Sequence, residues 1–140
     1  MLCENIMQHP VKWIAENDTA RTAARVMRDE NIGFLPVCDQ SGRVVGTLTD
    51  RDLTIRALAE DRPSGTKVGE VMTRELVTCK AKDELALAEK AMGERHKSRL
   101  VCVDDGGHLV GVISIADIAK HDEGPRVART LRHIMERETR

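Results

Sequence analysis

The chain contains an internal repeat, which limits its possible folds more than any other feature of the sequence. When the 140-residue sequence is shifted by 65 positions, residues 7–53 align with residues 72–118 without a gap. A single copy of such a unit cannot bury both faces of its sheet, so repeated copies pack together. The chain is therefore predicted to be a tandem duplication whose two copies form one domain. Ten of the aligned pairs are identical: Met7/Met72, Asp18/Asp83, Ala23/Ala88, Met27/Met92, Leu35/Leu100, Asp39/Asp104, Gly42/Gly107, Val45/Val110, Gly46/Gly111 and Asp52/Asp117.

Each copy begins with the same two elements. Short β-leaning stretches at residues 11–15 and 76–79 precede alanine-rich segments with apolar residues on one face, a pattern typical of an amphipathic helix. Asp18 and Asp83 stand before these segments, and aspartate is a preferred N-cap residue. The sequence therefore predicts a strand and then a helix, with Asp18 and Asp83 as the helix N-caps.

A hairpin and a second helix complete each copy. Compact apolar runs at residues 34–38 and 99–103 are followed by turns that start with Asp39 and Asp104, with glycine in the fourth position, as a type I turn prefers. After each hairpin, an acidic residue near the start of the segment and apolar residues at helical spacing predict another helix. The predicted fold class is α/β (α+β): two β-α-β-β-α repeats packed with pseudo-twofold symmetry, plus a C-terminal helix.

The predicted organisation follows from these patterns: a first repeat at residues 2–60, a polar linker at 61–67, a second repeat at 68–122 and a C-terminal basic amphipathic helix at 123–140. The last segment carries five arginines, and its apolar residues recur at helical spacing. We expect this helix to pack on its own domain or across a dimer. Contact with an acidic partner, a membrane surface or a nucleic acid is the alternative.

Both hairpins end in the same motif, G-x-h-[ST]-x-x-D, in which h is an apolar residue. The motif reads GTLTDRD at residues 46–52 and GVISIAD at residues 111–117. One copy would be a weak signal, but two copies stand in register at the end of the same element pattern. On these residues the chain, from 2 to 122, resembles the tandem cystathionine-β-synthase (CBS) domain pair, also called a Bateman module.

The motif places a hydroxyl and a carboxylate at one strand-to-helix junction, where backbone N–H groups are also unpaired. An ionised carboxylate can accept hydrogen bonds from vicinal sugar hydroxyls, and a hydroxyl can meet a phosphate. CBS pairs use this junction for the ribose and phosphate of adenine nucleotides, with the base in the cleft between repeats. The resemblance implies that Thr49 with Asp52, and Ser114 with Asp117, are sugar-side contacts. As an alternative, both aspartates serve only as helix N-terminal acids.

The two junctions differ in their nearby cations. Arg51 stands inside the first motif, where the second has Ala116, while Ser98 and Arg99 precede a strand of the second repeat at positions where the family often places phosphate-binding residues. We expect one strong site or two sites of different preference, unless these arginines are only surface charges. The candidate binding residues are Thr47, Thr49, Arg51, Asp52, Ser98, Arg99, Ser114 and Asp117.

The resemblance implies a stand-alone, non-catalytic regulatory module that binds AMP, ADP or ATP, with S-adenosylmethionine as a further possibility, and signals energy state to a partner protein. CBS pairs typically form homodimers. The alternatives are a ligand-free interaction scaffold and a nucleic-acid or membrane accessory that acts through the basic tail. The scattered histidines and cysteines show no metal-ligand spacing, and no nucleophile with a base is visible, so we expect no catalytic residues and no metal site.

Composition limits the remaining classes of function. The chain has no tyrosine, one tryptophan, one phenylalanine and a net charge of -1, which makes nucleic-acid binding an unfavoured reading. No apolar run approaches the roughly 20 residues of a membrane span, and the N-terminus lacks a signal-peptide pattern. The four cysteines are widely spaced and are predicted to be reduced thiols, so we expect a cytoplasmic protein without a membrane span.

Overall fold

The structure is a computed structural model that describes residues 1–121 and 125–136. It contains two compact units. The first unit comprises Lys12–Leu76, and the second comprises Met1–Val11 together with Val77–Arg140. The compact units do not coincide with the repeats along the sequence. The segment that precedes each repeat's first strand, here called its leading segment, belongs to the other unit: residues 1–11 to the second unit and residues 66–76 to the first. Residues 123–124 and 137–140 of the predicted C-terminal helix lie outside the described residues.

The first unit has a three-stranded sheet in the order β1-β2-β3, with β1 parallel and β3 antiparallel to β2. After α2 the chain continues as a π-helical turn over Leu53–Leu58. The elements in chain order are β1 (Ile14–Ala15), α1 (Ala20–Glu30), β2 (Phe34–Cys38), β3 (Val44–Thr49), α2 (Asp50–Asp52) and α3 (Val68–Val71).

The second unit repeats this topology in the order β4-β5-β6, with β4 parallel and β6 antiparallel to β5. It begins with a 3-10 turn at Cys3–Asn5, which belongs to the leading segment. The predicted α/β class and the β-α-β-β-α order of each repeat are thus confirmed. The elements are β4 (Thr78–Lys80), α4 (Leu85–Arg95), β5 (Arg99–Val103), β6 (Leu109–Ser114), α5 (Ile115–His121) and α6 (Pro125–Met135).

The predicted N-caps are wrong by one residue. Thr19 is the N-cap of α1, and Glu84 holds the N-cap position of α4. Asp18 and Asp83 instead use their carboxylates to accept a hydrogen bond from the backbone N–H three residues earlier, at 3.4 Å and 2.8 Å. Their side chains are therefore engaged by the turn that leaves the strand, and the helix begins one residue later than the aspartate preference suggests.

The hairpin turns agree with the sequence. The Gly42 N–H donates to the Asp39 carbonyl at 3.1 Å, and the Gly107 N–H donates to the Asp104 carbonyl at 3.0 Å. Both glycines have a positive φ, 86° and 82°. A left-handed conformation favours glycine, because the absence of Cβ removes the steric penalty. The same turn chemistry therefore closes both hairpins.

Each unit has its own apolar core, and methionines at repeat-matched positions contribute to it. Met27 and Met72 pack in the first unit, and Met92 packs in the second. Three cysteines join the second core. The buried residues of the first core are Ile14, Ala23, Met27, Leu35, Val37, Leu48, Ala57, Val68, Val71 and Met72. Those of the second are Cys3, Ile6, Cys79, Leu85, Ala88, Met92, Leu100, Cys102, Ile113, Ile118 and Ile134.

The leading segments pair with the strands that carry the motif. Thr73 exchanges two backbone hydrogen bonds with Thr47 at 2.9 and 3.0 Å, and Gln8 exchanges two with Val112 at 2.8 and 3.1 Å. Positions 8 and 73 are equivalent under the 65-residue shift, as are positions 47 and 112. The duplication therefore extends to the way each strand is covered by a segment from the other repeat.

These crossings explain the glycine of the motif. A Cβ on Gly46 would lie 2.6 Å from the Thr73 carbonyl oxygen, and a Cβ on Gly111 would lie 2.9 Å from the Gln8 carbonyl oxygen. Met72 and Met7 press on the same two positions, with sulfur atoms at 2.9 and 2.7 Å. Only a residue without a side chain lets the leading segment approach this closely.

The C-terminal helix packs within its own unit. Arg126 of α6 forms an ion pair with Glu89 of α4, whose side chain is 2% exposed. Thr130 and Ile134 are buried on the same side of α6, and Gly93 of α4 lies against His133. The predicted amphipathic helix is therefore present over Pro125–Met135, with its apolar face on α4. In the described part of the chain, no helix has the length and apolar character needed to cross a bilayer.

We predict that Gly46→Ala destabilises the protein by about 2 kcal/mol, because the added methyl group must displace a backbone carbonyl in a packed crossing. The control is Gly65→Ala, where an added Cβ meets no atom within 4 Å. Its stability should stay within about 0.5 kcal/mol of the wild type. Urea denaturation measures both variants, and equal midpoints would contradict this account of the motif glycine.

We also predict that stability falls above pH 9. Burial raises the pKa of Cys38 from 9.0 to about 11, and a hydrogen bond with Cys102 together with burial raises that of Cys79 to about 12. Unfolded thiols ionise as the pH rises through 9, whereas these native thiols remain protonated. Each thiol should therefore remove about 1.4 kcal/mol per pH unit from the free energy of unfolding between pH 9 and 11.

The measurement is urea denaturation from pH 7 to 10.5. Cys38→Ala serves as the internal control. It should reduce the loss of unfolding free energy per pH unit above pH 9 by the contribution of one thiol. A free energy of unfolding that stays constant to pH 10.5 would show that these thiols ionise as readily in the native state as in the unfolded chain.

Candidate functional site

The first candidate corner is the junction of β3 and α2. Strand β3 ends at Thr49 and α2 begins at Asp50, so no loop separates the hydroxyl from the helix. The Thr49 N–H donates to Asp52 Oδ2 at 3.0 Å, and the Asp52 N–H donates to Thr49 Oγ1 at 3.0 Å. These reciprocal bonds form a capping box, which holds the hydroxyl and the carboxylate in fixed positions.

The second candidate corner, at the junction of β6 and α5, has the same geometry. The Ser114 N–H donates to Asp117 Oδ2 at 3.0 Å, and the Asp117 N–H donates to Ser114 Oγ at 3.0 Å. The structure therefore brings together both predicted hydroxyl and carboxylate pairs. Each pair caps its helix, as the alternative interpretation expected. Each hydroxyl also keeps its proton for donation, and each carboxylate has a second oxygen outside the cap.

A third residue contacts the second carboxylate oxygen in each corner, and sequence reasoning missed it. Gln8 Nε2 donates to Asp117 Oδ1 at 3.1 Å, while Thr73 Oγ1 lies 3.3 Å from Asp52 Oδ1. Arg56 adds a longer contact to that same Asp52 oxygen, at 3.8 Å. Positions 8 and 73 are equivalent under the 65-residue shift. This equivalence was the sequence signal that could have identified both residues as neighbours of the motif.

The expectation of unpaired backbone N–H groups at the junction is wrong for the first corner. The Asp50 N–H donates to the Gly33 carbonyl at 3.1 Å, and the Arg51 N–H donates to the Asp50 carboxylate at 2.9 Å. The Asp52 N–H is used by the cap. The Gly33 carbonyl, the Asp50 carboxylate and the Thr49 hydroxyl accept from the first turn of α2, so an anion at this corner would have to be met by side chains.

Two other predicted residues accompany the first corner. Thr47 lies two residues before Thr49, so both side chains leave the same face of β3. Arg51 is exposed, and its side chain has no hydrogen bond or ion pair with any residue in 1–121 or 125–136. The exposed counterpart of Arg51 in the second repeat is Ala116. Among the described residues, then, nothing engages the Arg51 guanidinium beside the first cap.

Ser98 and Arg99 accompany the second corner. Arg99 stands opposite Ser114 in the ladder of β5 and β6, and the Ser98 carbonyl accepts a hydrogen bond from the Ile115 N–H at 2.9 Å. Both residues therefore lie at the end of the sheet where β6 passes into α5, the helix that contains Asp117. The candidate cation of this corner, Arg99, is in a strand, whereas the candidate cation of the first corner, Arg51, is in a helix.

An open cavity of about 420 Å³ is present in the first unit. Side chains of both charges line it, and it contains none of the eight predicted site residues. The lining residues are Ile55, Arg56, Glu60, Arg62 and Glu70. Within the described residues no group of three His, Cys, Asp or Glu side chains is placed to hold a metal ion. All four cysteines are buried free thiols.

Comparison with known proteins gives matches along both repeats. The CBS domain family model matches residues 3–58 and 68–124. The CBS domain-containing protein YhcV of Bacillus subtilis is 36% identical over 116 residues, which are 83% of this chain and 81% of that protein. Hypoxic response protein 1 of Mycobacterium tuberculosis is 36% identical over 118 residues, which are 84% of this chain and 82% of that protein.

Solved structures with the same fold support the match. Hypoxic Response Protein I, solved with two coordinated zinc ions, superposes with a TM-score of 0.80 at 31% identity, covering 87% of this chain and 99% of that chain. The CBS domain pair of protein MJ0100, in complex with 5′-methylthioadenosine and S-adenosyl-L-methionine, gives 0.77 at 27% identity, covering 86% and 94%. With two matched repeats, two equivalent capped corners and relatives of similar length, this chain belongs to the CBS domain family and carries two CBS domains.

Proposed function

We propose that the protein is a regulatory module that binds an adenine nucleotide or a related adenosine ligand at its capped corners, without catalysing a reaction on it. The observation that carries this proposal is the pair of equivalent corners, each with a fixed hydroxyl and a fixed carboxylate. The capping boxes hold these groups in place before any ligand arrives, so binding does not have to order them.

Each corner offers the chemistry that a ribose requires. The carboxylate oxygen outside the cap can accept hydrogen bonds from vicinal hydroxyls, and the Thr49 or Ser114 hydroxyl can donate to a ligand oxygen. Since the backbone N–H groups of the first corner are already used, a phosphate there would rely on the free Arg51 guanidinium. At the second corner, Arg99 is the candidate cation.

The ligand class is supported by a relative. The MJ0100 domain pair was solved with 5′-methylthioadenosine and S-adenosyl-L-methionine. These compounds share adenine and ribose with AMP, ADP and ATP, and differ from them at the 5′ position. We propose that ribose recognition at the aspartates is common to all of them. The exposed Arg51 favours phosphate-bearing ligands, which would make the protein a sensor of adenine nucleotides.

We further propose that ligand binding is signalled to another protein and that the chain forms a homodimer in the cytoplasm. Leu58 and Leu87 leave 75% and 58% of their surfaces exposed and are the side chains we propose for contacts with a second copy. The free thiols fit a reducing compartment. A ligand shifts such an assembly only through different affinities for its arrangements. Sedimentation with and without nucleotide measures that shift.

An interaction scaffold without a ligand is the second candidate. The observation in its favour is that the motif residues already satisfy one another as helix caps. A basic-tail accessory has less support, because α6 packs on α4 and Arg126 pairs with Glu89. Arg126, Arg129 and Arg132 are all exposed in the described part of that helix, and Arg126 is the one that pairs with Glu89. Binding that weakens steeply with salt would favour this last reading.

We predict that calorimetric titration with AMP, ADP, ATP, S-adenosylmethionine and 5′-methylthioadenosine gives micromolar binding of at least one ligand. Asp52→Ala or Asp117→Ala should abolish binding at its own corner, because the ribose loses its acceptor. Thr19→Ala is the matched control, since it removes the N-cap of α1 at a similar cost of about 1 kcal/mol but touches neither corner. Silence with all five ligands from folded protein would leave the scaffold as the better explanation.

A second prediction concerns the phosphate. Arg51→Ala should weaken AMP at the first corner about tenfold, the loss expected for one charge-assisted hydrogen bond. Binding of 5′-methylthioadenosine, which has no phosphate, should remain unchanged. The titrations are run in Asp117→Ala protein, so that only the first corner reports. An equal loss for both ligands would assign Arg51 a structural role rather than a phosphate contact.

A further inference from the structure

The two corners differ in how fully the protein occupies its own carboxylate. Asp117 Oδ2 accepts the cap bond from Ser114, and Asp117 Oδ1 accepts a hydrogen bond from the Gln8 carboxamide at 3.1 Å. Both oxygens of this carboxylate are therefore engaged by well-formed bonds. The residue as a whole is 7% exposed.

The equivalent contact in the first corner is weaker. The Thr73 hydroxyl is spread over Asp52 Oδ1 at 3.3 Å and Oδ2 at 3.4 Å, near the long limit for an O–H donor. The Arg56 Nε atom is 3.8 Å from Oδ1, beyond hydrogen-bond range. Asp52 Oδ1 is thus held less firmly than Asp117 Oδ1, although the two caps have the same bond lengths.

Gln8 can leave Asp117 without disturbing the fold. Its backbone exchanges two hydrogen bonds with Val112, which hold the leading segment in place. The residue itself is exposed, so its side chain can change rotamer into solvent. Release of the carboxamide therefore breaks one hydrogen bond and requires no movement of the segment.

We propose that Gln8 is an internal competitor for the second corner. Its carboxamide occupies the Asp117 oxygen that a ribose hydroxyl would use, so a ligand must displace it. The first corner has only the long Thr73 hydrogen bond and the still longer Arg56 contact to replace, and it therefore fills first. Gln8 and Thr73, both from leading segments, set the different preferences of the two corners. This inference rests on the proposed binding of an adenine nucleotide.

The binding test uses AMP and variants that isolate one corner. In Asp52→Ala protein only the second corner can bind through its motif carboxylate, and adding Gln8→Ala should tighten AMP about fivefold, the value of one net hydrogen bond. The matched control is Gln40→Ala in the same background, which removes an exposed glutamine from the first unit and should change nothing. AMP binding to Asp52→Ala/Gln8→Ala that is no tighter, or is weaker, than to Asp52→Ala overturns the inference.

A ligand-free measurement separates this inference from the proposed function. The side-chain NH₂ signals of Gln8 are identified in a proton–nitrogen NMR spectrum by their loss in Gln8→Ala. They should shift in Asp117→Ala, where the acceptor is gone, and move in the same direction as AMP fills the wild-type corner. Signals that do not respond to Asp117→Ala overturn the inference alone. If neither the wild type nor Gln8→Ala binds AMP or any of the other four ligands, the proposed function is overturned and the inference with it.

Discussion

The close crossing of each leading segment over a motif glycine is the constraint on which the rest of the structure depends. Gly46 and Gly111 allow a backbone carbonyl to approach where any Cβ would collide. This approach forms the bridges of Thr73 with Thr47 and of Gln8 with Val112. It also brings the side chains of residues 8 and 73 to the motif carboxylates. The close packing of a leading segment on a motif glycine thus shapes both the fold and the candidate site.

Since each unit takes its leading segment from the other repeat, neither repeat completes a unit on its own. Residues 66–76 supply α3 and buried Val68, Val71 and Met72 to the first core, while residues 1–11 supply Cys3 and Ile6 to the second. The stability of each core therefore depends on both halves of the sequence. This dependence gives a physical reason for the two repeats to remain in one chain.

The motif aspartates have a capping role in the structure and a proposed binding role, which sequence reasoning had treated as alternatives. As caps, Asp52 and Asp117 satisfy a backbone N–H and fix the start of a helix. The same bonds orient the outer carboxylate oxygen, so the structural role prepares the binding role. Ligand binding at the outer carboxylate oxygen depends on the protein groups that already contact it. These groups differ between the two corners, since Gln8 contacts Asp117 and Thr73 contacts Asp52.

The sequence by itself determined the duplication, the element order, the hairpin turns and the pairing of hydroxyl with carboxylate, because these depend on local periodicity and on short spacings. The caps at Asp18 and Asp83 were misplaced, since the preceding turn competes for the same side chain. Only the tertiary structure decided that the leading segments exchange, that α6 packs on α4, and that Gln8 reaches Asp117 across 109 positions. Those outcomes arise from contacts between residues far apart in the chain, which leave no periodic signal in the sequence.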